Sequence, residues 1–257
     1  MDFNKLFDLT GKTAIVTGGA NGIGKATAIM LAKAGANIVI GDFKKDDAEK
    51  TAEEIRQFGV QVLAVECNIL KDENLVNLVD ETVKKFGSIH ILINNAGGGG
   101  GGRENPFKIS VDEIKRDFEL NVFSVWRLSQ LCVPHMKTAG YGSIVVTTSM
   151  SSINKSPNMS GYGASKAAVN HMIANLAHDF GPEVRINAVG PGATRTAALE
   201  SVLTPEIEKT MLAHTPIKRL GKADDIAGAI LYFASPVSEW VSGQTIFVNG
   251  GGVQVLE

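Results

Sequence analysis

The stretch from Thr13 to Asp42, "TAIVTGGANGIGKATAIMLAKAGANIVIGD", decides the fold. Its first run, "TAIVT" (13–17), is apolar toward both faces rather than alternating, as a strand covered by helices on each side requires. A glycine-rich turn, "TGGANGIG" (17–24), leads into a helix-period segment over 23–34 that stops at Gly35. A second apolar run, "NIVIGD" (37–42), closes a strand–turn–helix–strand unit. Gly18 can make the tight turn, Gly22 lets backbone approach a diphosphate, and Gly24 lets helix and strand pack closely. The helix N-terminus offers unpaired N–H groups and a partial positive charge to the same anion. The spacing is G-x-x-x-G-x-G, not the usual G-x-G-x-x-G, so its placement between strand and helix carries the inference.

Asp42 follows the glycines at roughly 20 residues, where an acid can bond the adenosine ribose hydroxyls and repel a 2′-phosphate. Lys44 and Lys45 lie close by, but position 21 is Asn and no base flanks the pocket from the glycine turn. The sign of the charge at Asp42 favours NAD over NADP.

Outward from this unit the alternation continues. Further strands are expected at 61–66, 90–94, 143–148, 185–189 and 245–249, with helices near 46–58, 71–86, 110–138, 161–180 and 223–234. Ser110 with Glu113 marks one helix start, and Gly59 and Gly87 mark stops. The fold class is therefore α/β, a single doubly wound Rossmann-type domain over 1–257 with a seven-stranded parallel sheet and helices on both faces. One long interruption, 193–220, is free to cover a ligand. The expected strand ends carry Gly18–Gly24, Asp42, Asn68, Asn94–Gly102, Ser149 and Pro191–Gly192, a collection of small residues that suits a nucleotide crevice.

Composition excludes several other classes. The 257 residues are 44% hydrophobic with a net charge of -2, which gives no electrostatic case for nucleic acid or anionic membrane. The start, "MDFNKLFDLTGK", lacks an apolar signal core, and no later segment approaches membrane-spanning length. Cys67 and Cys132 both fall in apolar-patterned segments, as buried thiols in a reducing compartment would, so a cytoplasmic protein is expected. The five histidines have no metal-ligand spacing, and no metal site is expected.

"YGASK" places Tyr162 and Lys166 on one face at the start of a helix. A phenol is a poor base at neutral pH, and a neighbouring ammonium is expected to shift its pKa downward. Ser149 ends the preceding strand, so its hydroxyl can hold a carbonyl oxygen while Tyr162 gives or takes the proton.

"TGGANGIG", "NNAG", "ELNVF", "TTSM", "YGASK" and "NAVGPGATRT" occur in the order and spacing of the short-chain dehydrogenase/reductases, and the chain resembles that family over essentially its whole length. The resemblance implies a catalytic set of Asn121, Ser149, Tyr162 and Lys166. Tyr162 would be the general acid/base and Ser149 its oxygen-binding partner, with Lys166 holding the nicotinamide ribose and tuning Tyr162. Asn121 would hold a water in the proton relay. NAD contacts are implied from Gly18, Asn21, Gly22, Ile23 and Gly24, and from Asp42 and Phe43 beside the ribose. Others are implied from Asn68 and Ile69 at the adenine, and from Asn95, Ala96 and Gly97 after the fourth strand. On the nicotinamide side they come from Pro191, Gly192, Thr194 and Thr196, with Val189 supplying backbone contacts. Asn68 stands where the family usually has Asp, and an amide oxygen can still accept the adenine amino group.

Within the family, "NNAGGGG", "TTSMSSINKSPNMSGYGASK", "LESVLTPEIEKTMLAHTPIKRLG" and "GGGVQVLE" resemble the bacterial NAD-dependent 7α-hydroxysteroid dehydrogenases. That likeness implies a steroid or bile acid substrate and a homotetramer packed through 110–138 and 161–180. Ala197, Leu199, Val202, Leu203 and Met211 could cover a steroid face or simply pack that segment onto the domain. Alternatives are a 3-oxoacyl carrier-protein reductase, which usually prefers NADPH, another secondary-alcohol dehydrogenase, and a non-catalytic NAD-sensing module. The six glycines 97–102 are expected to seat the cofactor at Gly97, with Gly98 to Gly102 keeping the cleft wall low for a wide substrate.

Overall fold

The structure is a computed structural model that describes residues 5–99 and 104–252. Seven strands form one sheet: β1 Thr13–Thr17, β2 Asn37–Asp42, β3 Val62–Glu66, β4 Ile91–Asn94, β5 Gly142–Thr147, β6 Val184–Pro191 and β7 Thr245–Val248. Their order is β3-β2-β1-β4-β5-β6-β7, and every pairing is parallel. Chain direction across the sheet reverses between β1 and β4, so the crevice opens at their carboxyl ends.

Successive strand residues face opposite layers. Ala14, Val16, Ile38 and Ile40 pack with α1 (Gly22–Lys33), α2 (Lys45–Arg56) and the distant α9 (Ala223–Ala234). Ile15, Val39, Leu92 and Ile144 pack with α3 (Asp72–Phe86), α5 (Ser124–Ala139) and α6 (Ser160–Phe180). Truncating one of the isoleucines or Leu92 to alanine costs about 2–5 kcal/mol, enough to threaten the whole crevice. Gly87 ends α3 in the left-handed region, as its sequence position predicts.

Three expectations change. The helix expected over 110–138 is two helices, α4 (Val111–Phe118) with the Ser110–Glu113 capping box, and α5. A π-turn at Glu119–Phe123 joins them, an irregularity that no residue pattern announces. Asn94 does not sit at the crevice lip: it is buried in β4 and donates to Ser129 Oγ at 3.4 Å, so the lip begins at Asn95. β7 is not covered on both faces, because it is the sheet edge and Ile246 is 39% exposed. The interruption at 193–220 contains two short helices, α7 (Ala197–Glu200) and α8 (Pro205–Ala213).

Candidate active site

The loops after β1 and β4 are latched together. Thr17 Oγ1 accepts from the Asn95 and Ala96 amides, each at 3.1 Å, and Asn95 Nδ2 donates to the Thr17 and Gly18 carbonyls at 3.1 and 3.3 Å. Only glycine fits the start of α1: a Cβ on Gly24 would lie 2.0 Å from the Gly18 oxygen. Gly18 and Gly22 adopt φ +64° and +55°, so the turn needs glycine at both. Asn21 stands at the N-cap without a side-chain cap bond, and the first-turn amides, including those of Ile23 and Gly24, point out with no intrahelical partner. This is a cradle for a diphosphate.

Asp42 lies beside the cradle at the end of β2. Its Oδ2 accepts from Ala20 N and its Oδ1 from Lys44 N, each at 3.0 Å, which leaves each oxygen a lone pair for a ribose hydroxyl. Phe43 projects into solvent, and Asn68 Oδ1 accepts from Leu70 N at 3.0 Å, fixing the turn that carries Ile69. Across the crevice, a Cβ on Gly22 would meet Thr196 Cγ2 at 3.6 Å, so the segment after β6 faces the glycine turn. Pro191 ends β6, and Gly192 N donates to Val248 O at 2.9 Å. Thr194 is buried and donates to Gly192 O at 3.0 Å, so its side chain shapes the turn. The Val189 carbonyl accepts from Thr148 N at 2.8 Å. These residues fit a dinucleotide whose adenosine end meets a carboxylate.

The reactive end stands at the opening of α6. Ser149 caps the short turn Met150–Ser152, accepts from Ser151 N at 3.1 Å and donates to Ser151 Oγ at 3.2 Å, and its hydroxyl acts on the Tyr162 phenol to lower its pKa. Lys166 is buried, and its Nζ donates to Thr147 O at 2.9 Å and lies 5.9 Å from the centre of the Tyr162 ring. Asn121, in the π-turn, grips Gly98 twice: its Oδ1 accepts from Gly98 N at 3.1 Å and its Nδ2 donates to Gly98 O at 2.7 Å. That Nδ2 also donates to Ser165 Oγ at 3.0 Å. A Cβ on Gly97 would come within 2.8 Å of Asn121 Oδ1 and 3.4 Å of Lys166 Nζ, so this glycine passes between the two. Gly99 packs on Asp117 and the Tyr162 ring, whereas Gly100 to Gly102 lie outside the described residues. The four residues expected to act together are therefore brought together.

The electrostatics differ from expectation. Burial pushes the Tyr162 phenol up from its ordinary value; the Ser149 hydrogen bond opposes this and the Asp117 charge adds to it. Lys166 does not pull it down, because burial lowers the ammonium itself, to about 8.

Sequence reasoning missed the support around Ser149. Asn170 Nδ2 donates to Ser152 Oγ at 2.8 Å, and Ser152 Oγ donates to Ser149 O at 2.6 Å. Asn170 follows Lys166 by one helical turn on the Tyr162 stripe, a spacing that could have found it. Two buried carboxylates, Glu104 and Asp117, carried no such signal. In the segment after β6, α8 has no buried residue, and Leu199, Val202, Leu203 and Met211 all keep exposed apolar surface.

Comparison with known proteins bears on this geometry. A family profile described as Enoyl-(Acyl carrier protein) reductase matches residues 18–252. The 7α-hydroxysteroid dehydrogenase of Escherichia coli K12 is 49% identical, with 96% of each chain covered. That of Bacteroides fragilis is 35% identical, with 93% of each chain covered. A solved 7α-hydroxysteroid dehydrogenase, complexed with NADH and 7-oxo glycochenodeoxycholic acid, superposes with a TM-score of 0.96 at 47% identity over the whole of both chains. Sheet order, glycine cradle and the Ser149–Tyr162–Lys166 cluster agree with these matches: the chain belongs to the short-chain dehydrogenase/reductase family.

Proposed function

We propose that this protein reversibly oxidises the 7α-hydroxyl of bile acids to the ketone with NAD+. The observation that carries it is the 49% identity to the E. coli 7α-hydroxysteroid dehydrogenase over nearly the whole chain. Leu199, Val202, Leu203 and Met211, which remain partly uncovered, suit a flat steroid face, and Asp42 speaks for NAD against the NADPH of a carrier-protein reductase.

Bound NAD+ supplies the hydride acceptor at its nicotinamide. Gly18, Asn21, Gly22, Ile23 and Gly24 hold the diphosphate, and Asp42 and Phe43 the adenosine ribose. Asn68 and Ile69 flank the adenine, with Asn95, Ala96 and Gly97 against the adenosine ribose and sheet edge. Pro191, Gly192, Thr194 and Thr196 form the nicotinamide wall. Ser149 fixes the substrate oxygen, and Tyr162 takes its proton as the carbinol hydrogen departs. Lys166 orients the nicotinamide ribose, and Asn121 holds a water that carries the proton outward. Because burial keeps the phenol protonated at neutral pH, Tyr162 stands ready as the acid for ketone reduction, and alcohol oxidation quickens as pH rises.

A homotetramer packed through 110–138 and 161–180 completes the proposal, supported by Phe123 and the 49% exposed Trp126 on that face. Light scattering of the purified protein tests it, and a monomer would refute it. Two free, buried cysteines suit a cytoplasmic location, and among the described residues no helix is long and apolar enough to cross a membrane. The activity is tested by incubating the protein with cholate and NAD+ and locating the new carbonyl by NMR. A 7-oxo product supports the proposal; a 3-oxo or 12-oxo product refutes it.

A further inference from the structure

The helix that carries Tyr162 begins without a local cap. Met159 occupies its N-cap and makes no side-chain cap bond, so the first amides of α6 must find partners elsewhere. Two of them find the same side chain, far away in sequence. Glu104, 4% exposed, takes the Gly161 amide on Oε2 at 2.6 Å and the Tyr162 amide on Oε1 at 2.8 Å. Its own amide donates to Asn158 O at 3.3 Å, just before α6. Burying a carboxylate is costly unless its lone pairs are taken by donors. Here the donors belong to the reactive turn, and the negative charge meets the positive end of a 21-residue helix.

The placement joins two parts of the site. Asn121 holds Gly98 on one side of the glycine run, and Glu104 meets the Tyr162 backbone on the other. Gly99 and Gly161 both approach Asp117, where added Cβ atoms would lie 2.6 and 3.3 Å from its carboxylate oxygens. The backbone position of Tyr162 is therefore set by a residue from the β4–α4 connection as well as by its own helix. A phenol must stand within hydrogen-bond reach of the substrate oxygen, and a displacement of about 1 Å can cost about 100-fold in rate.

We propose that Glu104 is a positioning residue for the reaction, a remote cap whose carboxylate fixes the first turn of α6 and with it the height of the Tyr162 phenol above the cleft. The proposal rests on the assignment of Tyr162 as the proton carrier. Gln keeps the length of the side chain but offers one acceptor where two amides need one each; Ala offers none.

The test compares wild type, Glu104→Gln and Glu104→Ala in steady-state oxidation of cholate by NAD+, with circular dichroism to establish folding. The expected result is a kcat lowered about tenfold in Glu104→Ala and less in Glu104→Gln, while KM for NAD+ stays within about twofold. A folded Glu104→Ala protein with wild-type kcat would overturn the proposal. If that variant does not fold, Glu104→Gln decides alone, with wild-type kcat again the overturning result. If wild type itself turns over no cholate, the steroid assignment fails and amide hydrogen exchange decides in its place. The Gly161 and Tyr162 amides should exchange about tenfold faster in Glu104→Ala than in wild type, and unchanged protection of both would overturn the proposal.

Discussion

Lys166 Nζ lies 5.9 Å from the centre of the Tyr162 ring and donates to the Thr147 carbonyl at 2.9 Å, so the two reactive side chains are neighbours on one helix face held by different partners. The Tyr162 amide is held by Glu104 and the Lys166 ammonium by the end of β5, so the two are fixed separately. Replacing Tyr162 with Phe removes the proton carrier and little else. Turnover should fall by about 100-fold or more while NAD+ affinity, read by calorimetry, stays at wild-type level. Retained turnover would return the site to the role of a binding module.

Lys166 costs the folded protein stability. Its folded pKa, about 8, lies below the unfolded 10.5, so between these values the unfolded chain binds the extra proton and stability rises with pH. Below about pH 8 both states hold the proton and the full cost is present. Lys166→Met should abolish activity and flatten that alkaline rise in urea unfolding of the cofactor-free protein. An unchanged slope would contradict the burial of this ammonium.

Little of this support was open to inspection of the chain. Strands such as Thr13–Thr17 and Asn37–Asp42 were legible to the residue, because apolar runs bounded by glycine or a turn have few other uses. The glycine cradle was legible through its place between strand and helix. The π-turn under Asn121 was not, since a helical period survives one inserted residue, and neither was Glu104, whose partners are backbone amides 57 and 58 residues away. The lowered phenol pKa inferred from a neighbouring ammonium was wrong in sign, because spacing along a helix reports proximity and not burial.

Asp42 is expected to choose the cofactor. Asp42→Ala removes a negative charge beside the ribose and should lower the NAD+ over NADP+ preference in kcat/KM by about tenfold. A preference that does not move would mean that the choice is made elsewhere.

His90 gives the protein an acid limit. Its buried Nδ1 accepts from Thr13 N at 3.0 Å, and burial, with the charge of Lys12, holds its pKa below the ordinary 6.5. A depressed folded pKa means stability that is complete above the ordinary histidine value and is lost as pH falls below it. His90→Asn keeps an acceptor for Thr13 and cannot titrate, so its stability should depend less on pH below about 6.5. Equal acid sensitivity in both proteins would place the acid limit on another group.

The central claim is the position of the oxidised hydroxyl, and one panel reads it most directly: NAD+ reduction with cholate, chenodeoxycholate and deoxycholate at equal concentration. Cholate and chenodeoxycholate carry the 7-hydroxyl and deoxycholate lacks it, so the first two should be oxidised and the third left untouched. Equal rates with deoxycholate would contradict the 7α assignment, and no rate with any of the three would contradict a steroid substrate altogether.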